Sequence, residues 1–120
     1  MIISKTPFRI SFFGGGTDFP VWYKKNRSKV INVAINKYCY VIVRKLPPFF
    51  KFNYRLKYYK TEEVIKISSI KHPVVRESLK LLKYKKNFEM VHTADLPAQS
   101  GLGASSSFTV GLLNSLYRLN

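Results

Sequence analysis

From Pro97 to Ser106 the chain reads Pro-Ala-Gln-Ser-Gly-Leu-Gly-Ala-Ser-Ser, and a third serine follows at Ser107. Glycines at positions 101 and 103 permit backbone angles closed to other residues and let a ligand approach the main chain closely. Ala104, Phe108, Leu112 and Leu116 then recur at four-residue spacing, which marks one apolar face of a helix. The predicted helix opens at its serine-rich end, where the first amides have no acceptor inside the helix. Those amides and the positive end of the helix dipole suit phosphate. The hydroxyls of Ser105, Ser106 and Ser107 can bond a phosphate oxygen or ligate a hard cation such as Mg²⁺. The pattern predicts a cradle for a triphosphate. The same residues would also serve as an ordinary helix start with serine caps and close packing, and spacing alone leaves both readings open.

Two other phosphate loops do not fit. A Walker A loop requires Lys-Ser/Thr after its last glycine, and Gly103 is followed by Ala104-Ser105. A dinucleotide fingerprint requires a third glycine where this chain has Ser106. A second glycine cluster, Gly14-Gly15-Gly16-Thr17-Asp18, contributes no side-chain burial and costs backbone entropy. It reads either as a tight turn or as a backbone surface for a substrate, with Asp18 free to bond sugar hydroxyls.

The stretch Pro97–Ser106 resembles the second motif of the GHMP kinases, Pro-x-x-x-Gly-Leu-Gly-Ser-Ser-Ala. That family includes galactokinase and the homoserine, mevalonate and phosphomevalonate kinases. Pro7-Phe8-Arg9-Ile10-Ser11-Phe12-Phe13-Gly14-Gly15-Gly16-Thr17-Asp18 resembles the first motif, Pro-x-Arg-x-x-x-x-Gly-x-x-Thr-Asp. The resemblance implies ATP binding by Pro97, Ser100, Gly101, Leu102, Gly103, Ala104, Ser105 and Ser106, with Ser105 ligating Mg²⁺. It implies substrate binding by Gly14, Gly15, Gly16, Thr17 and Asp18, and a catalytic basic residue near the transferred phosphate at Arg9. The chain departs from the pattern at Ala104 and Ser106, where Ser and Ala are expected. Galactokinase carries Glu-His where this chain has Gly15-Gly16, which argues against galactose. The form Gly-Gly-Gly-Thr-Asp-Phe-Pro resembles the branch with the D-glycero-D-manno-heptose 7-phosphate kinases, which act on the anomeric hydroxyl of a phosphorylated heptose.

By the same resemblance the fold class is α+β, a GHMP-kinase N-terminal domain of ribosomal-protein-like left-handed βαβ form, incomplete. Residues 1–120 would be its ATP-binding domain, with the third glycine-rich motif, the C-terminal domain and the catalytic base lying outside it. Such a piece is expected to bind nucleotide weakly or not at all and to show no turnover.

The elements that must hold these motifs are legible in outline. At 120 residues and 46% hydrophobic content, the chain suits one domain with a core of its own. Ile2–Ser11 reads as a strand interrupted at Pro7. Val30–Ile35 and Tyr38–Val43 read as two strands of a hairpin turning at Asn36-Lys37, and Pro47-Pro48 ends it. Weaker strand signals lie in Phe49–Tyr59 and Val64–Ile67. Pro73 begins a helix with Val75, Leu79 and Leu82 on one face, running to about Tyr84. Phe88–Ala94 alternates as a strand that delivers the chain to Pro97. His72 and His92 have no ligand partners in sequence and read as structural or solvated. The lone Cys39 excludes a disulfide framework and reads as a buried small hydrophobe.

No apolar run approaches the roughly 20 residues of a membrane span, and no signal region is evident, so a cytoplasmic protein is expected. The net charge of +15 concentrates in Lys and Arg between Arg44 and Lys86, interleaved with Tyr and Phe. That arrangement offers an alternative, a basic module that stacks single-stranded nucleic acid. It equally offers a field that attracts a phosphorylated sugar and ATP.

Overall fold

Burial alternates along the first part of Ile2–Phe13, which forms strand β1. Ser4 and Phe8 face inward, whereas Ile3 and Lys5 face out. A computed structural model describes residues 1–98 and 100–119. Gln99, the third residue of the Pro97–Ser106 motif, and Asn120 lie outside the described residues. Strand β1 pairs along its length with β2, Ile31–Lys45, in antiparallel register. The hairpin expected at Asn36-Lys37 is therefore absent, and one 15-residue strand replaces it. Ile35, Asn36 and Lys37 instead oppose the single residue Phe8, between the pairs Pro7–Tyr38 and Arg9–Ala34. The local turn tendency is absorbed as a bulge, because β1 supplies partners on both sides of it. Pro7 is tolerated because β1 is an edge strand.

The sheet continues with β3, Tyr54–Lys57, β4, Thr61–Val64, and β5, Phe88–Ala94, in the order β1-β2-β5-β3-β4. All neighbours are antiparallel except β3 and β5. The strand signal expected over Val64–Ile67 resolves differently, since β4 ends at Val64 and Ile67–Ser69 forms a 3-10 turn. Two short segments lie between β1 and β2, a 3-10 turn at Gly15–Thr17 and the single-turn helix α1, Pro20–Tyr23.

Helix α2, Pro73–Leu81, stops one turn earlier than its apolar pattern suggests. Lys83 takes a left-handed φ of 48°, and the amides of Lys83 and Tyr84 bond the carbonyls of Lys80 and Leu79. That is a Schellman ending, with buried Tyr84 packing where the helix would have continued. Helix α3, Ala104–Leu119, buries Phe108, Leu112 and Leu116 against β1 and β2, as its four-residue spacing requires. Each fully buried leucine of this kind stabilises by about 2 kcal/mol. Cys39 is buried in the same core, where burial pushes its thiol up to about 11, so it packs as a hydrophobe. None of the helices among the described residues is long and apolar enough to cross a membrane.

On the other sheet face, buried Glu89 is ion-paired with Arg44, Arg55 and Lys57. Burial alone would raise its pKa, but the Arg44 and Arg55 bonds outweigh this and hold it below the usual carboxylate value. Arg55 lies over the rings of Phe50 and Phe52, each 4.6 Å away. Two aromatics of the basic stretch are thus engaged within the chain, while Phe49 and Tyr59 are exposed.

Candidate functional site

Strand β5 ends at Ala94, and Asp95 anchors the exit. Its amide donates to the Tyr38 carbonyl at 2.9 Å, and its carboxylate accepts from the Tyr38 amide at 2.8 Å. The following loop turns through Gly101 and Gly103, whose φ values of 73° and 74° require glycine. The first intrahelical bond of α3 runs from the Ser107 amide to the Gly103 carbonyl. The amides of Ala104, Ser105 and Ser106 accordingly have no acceptor within the helix. Ser105 and Ser106 are exposed, so the helix mouth is open. Ser107 departs from its sequence-based reading as a phosphate hydroxyl, because it is buried and donates to the Pro7 carbonyl at 2.8 Å. Ser100 is tucked in, and its Oγ has no hydrogen-bond partner among the described residues.

The two motifs meet at Arg9. Its amide donates to the Leu102 carbonyl at 3.1 Å, and its side chain lies across Gly103, where an added Cβ would stand 3.0 Å from Arg9 Cγ. No carboxylate pairs with the Arg9 guanidinium among the described residues. The triple-glycine turn is built as tightly as its composition suggests. Gly14 has φ 88°, and a Cβ there would stand 2.0 Å from the Lys29 carbonyl oxygen. Thr17 Oγ1 donates to the Gly14 carbonyl at 2.7 Å, and Ser28 Oγ donates to the Thr17 carbonyl at 3.1 Å. Asp18 is exposed at the end of the turn. Arg9 and Gly14 are five residues apart, about 17 Å along an extended strand. Among the described residues no hydrogen bond joins Gly14–Asp18 to Gly101–Ser106. The structure thus joins Arg9 to the Gly101–Ser106 loop and sets the triple-glycine turn further out on the β1–β2 arm. That arm exposes Phe12, Phe13, Phe19, Trp22 and Ile31, and the molecule measures 52 × 31 × 24 Å.

Beside the helix mouth lies a cleft of about 260 Å³, which Ala104 and Ser105 border. Phe8, Tyr58, Val74, Leu96 and Phe108 make it mainly apolar, and His72 and His92 enter its wall. Sequence reading had placed neither histidine near the loop. His92 did carry a signal, being in phase with buried Phe88 and Met90 on β5. Phe108 bridges the two imidazoles, with ring centres 5.1 Å from His72 and 4.9 Å from His92. Buried Glu62 supports this wall by accepting from Tyr58 Oη at 2.6 Å and from the Lys71 and His72 amides at 2.7 and 3.1 Å. Burial would raise the Glu62 pKa, and these three donors outweigh it and hold it low. Tyr58 is pushed up to about 12 by burial and by Glu62. No cluster of three or more His, Cys, Asp or Glu side chains able to hold a metal occurs among the described residues.

Burial pushes both histidines below the ordinary value of 6.5, and His72 further lowers His92. The unfolded chain therefore binds more protons than the folded one as pH falls below 6.5, so stability drops there. Glu62 and Glu89, held below 4.5, add a second loss at lower pH. The melting temperature is expected to be flat between about pH 7 and 8 and to fall in two stages toward acid. Calorimetry between pH 8 and 4 checks this, and a melting temperature unchanged from pH 7.5 to 5.5 would contradict the buried-histidine stage.

The fold is that of a GHMP-kinase N-terminal domain, a mixed five-stranded sheet with helices against one face. Among solved structures, a D-glycero-D-manno-heptose 1-phosphate kinase from Bacteriodes thetaiotaomicron matches with TM-score 0.78 and 22% identity, over 96% of this chain and 40% of its own. The mevalonate kinase of Methanococcus jannaschii matches with TM-score 0.68 and 18% identity, over 99% of this chain and 41% of its own. A Campylobacter jejuni chain proposed to be a sugar kinase matches with TM-score 0.67 and 22% identity, over 98% and 40%. This chain therefore spans about two fifths of the length of these kinases. No family model and no curated protein matches it by sequence.

Proposed function

We propose that this chain forms the nucleotide-binding part of an ATP-dependent GHMP-type sugar kinase. The observation that carries the reading is the seat of Arg9 on Gly103, which unites two motifs far apart in sequence. The amides of Ala104, Ser105 and Ser106, with those of the loop from Gly101, cradle the phosphates of ATP. The neighbouring cleft takes the base. At about 260 Å³ it lies just below the roughly 300–1,000 Å³ usual for ligand sites, which suits a base better than a whole nucleotide.

Mg²⁺ fits this site with the exposed Ser105 hydroxyl as its protein ligand, because Mg²⁺ normally keeps waters and phosphate oxygens as its other ligands. Bound there, it would neutralise phosphate charge. Phosphoryl transfer depends chiefly on positioning and charge stabilisation. Arg9, which has no acidic partner among the described residues, supplies positive charge beside the loop. Asp18 orients the acceptor hydroxyl, and the backbone of Gly14, Gly15, Gly16 and Thr17 forms the surface against which the acceptor rests. The acceptor is a phosphorylated sugar, a heptose phosphate by the form of the Gly-Gly-Gly-Thr-Asp-Phe-Pro turn, and the +15 charge favours the approach of such an anion.

Titration of the ¹⁵N-labelled chain with millimolar Mg·ATP tests the reading. The largest amide shifts are expected at Gly101, Gly103, Ser105 and Ser106, followed by Phe108 and His92 in the cleft. Shifts confined to the basic stretch Arg44–Lys86, with the loop amides unmoved, would transfer the anion site elsewhere and remove the kinase reading.

A further inference from the structure

We infer that His72 reads the nucleobase, donating a hydrogen bond from Nε2–H to an unprotonated ring nitrogen of a purine held in the cleft. This rests on the proposed nucleotide site and adds the residue that selects its base. His72 is the N-cap of α2, and its Nδ1 accepts from the Val75 amide at 3.4 Å. An amide N–H can be accepted only by an unprotonated nitrogen, so the neutral ring carries its proton on Nε2. Burial favours that neutral form. The fold has therefore committed one side of the imidazole as acceptor and left a donor on the other.

The ring is also held still. Its own amide bonds Glu62 at 3.1 Å, and Tyr58 packs edge-on to it at 5.0 Å. The remaining polar groups of the inner wall are few. Tyr58 Oη is already given to Glu62, and Ser105 stands at the mouth. Among the described lining residues, the imidazoles of His72 and His92 supply uncommitted polar atoms on the inner wall, besides the hydroxyls of exposed Tyr59 and of Ser105. An apolar cleft strips water from the acceptor nitrogens of a purine, and each such acceptor is costly unless it meets a donor. A pre-oriented Nε2–H meets that demand. His92, across Phe108, supplies a second imidazole on the same wall.

The test compares Mg·ATP with Mg·tripolyphosphate, which has the phosphates and no base, on the unmodified chain and on His72→Asn. Asparagine retains a side-chain acceptor for the α2 cap and removes the ring. The expected result is that the unmodified chain prefers ATP, and that the variant loses about tenfold in ATP affinity while tripolyphosphate affinity is unchanged. If the variant keeps the whole preference for ATP, the assignment of His72 is overturned and the nucleotide site stands. If the unmodified chain binds both ligands equally, no base occupies the cleft and the inference falls, leaving the phosphate loop intact. If it binds neither, the nucleotide site and the inference fall together. A second measurement needs no variant. The His72 Nε2 resonance of the unmodified chain should move with Mg·ATP and not with Mg·tripolyphosphate, and no movement with ATP would overturn the proposal.

Discussion

Gly103→Val is expected to remove detectable Mg·ATP binding, a loss of roughly 100-fold from a weak starting affinity, while the chain remains folded. Gly103 holds φ 74°, where a β-branched residue is strained by roughly 1–2 kcal/mol. Its new Cβ would stand 3.0 Å from Arg9 Cγ and 3.4 Å from Nε. Arg9 is flexible at that end, so it would swing off the loop instead of unfolding the chain. Valine would also stand where the proposed phosphate site meets the backbone. Gly101→Ala is the informative control, because φ is 73° there but nothing lies within 4 Å of an added Cβ. It should show the strain without the obstruction, with a loss of affinity well under tenfold. Isothermal titration of both variants with Mg·ATP, alongside circular dichroism, decides the matter. Unchanged binding in Gly103→Val would mean that phosphate does not sit on this loop.

Gly111→Val is expected to destabilise the whole domain by about 3 kcal/mol, the upper part of the range for overpacking. Gly111 is buried where α3 crosses the sheet. An added Cβ would stand 2.8 Å from Thr6 Oγ1, 3.1 Å from Ser4 Oγ and 3.4 Å from Val41 Cγ2. These neighbours lie on paired strands, β1 and β2, and cannot withdraw together. Valine gains a few tenths of a kcal/mol over glycine in helix propensity, too little to offset the crowding. A melting temperature lower by roughly 10–20 °C should result. Nucleotide binding should weaken in parallel, since lifting α3 pulls on the Ser107–Pro7 bond that holds its mouth to β1. A melting temperature within two or three degrees of the unmodified chain would show that α3 does not depend on this close approach.

These effects trace which parts of the molecule a linear reading reaches. Glycine at 101 and 103 permitted positive φ, and both positions have it, whereas within the triple glycine the structure alone picks out Gly14. The apolar spacing of α3 and the alternation of β5 carried over to the buried faces, because both periods are set by the geometry of a single element. Asn36-Lys37 misled for an equally physical reason. A turn and a bulge draw on the same local tendencies, and the choice between them is made by the partner strand. Lys83 hid the end of α2, since lysine gives no warning of a left-handed turn that buried Tyr84 then locks. Ser107 was indistinguishable from its two neighbours until its carbonyl partner at Pro7 was known.

By itself the sequence determined the local sterics: where the backbone could turn left-handed, which helix face was apolar, and which loop could offer free amides. Those properties depend on adjacent residues and hold wherever the segment is placed. Only the tertiary structure decided what those free amides face. It laid Arg9 over Gly103, took Ser107 for a bond spanning 100 positions, and brought His72 and His92 together around Phe108. Such meetings arise when α3 and β5 close against strands from the far end of the chain, a packing outcome that no short window of residues contains.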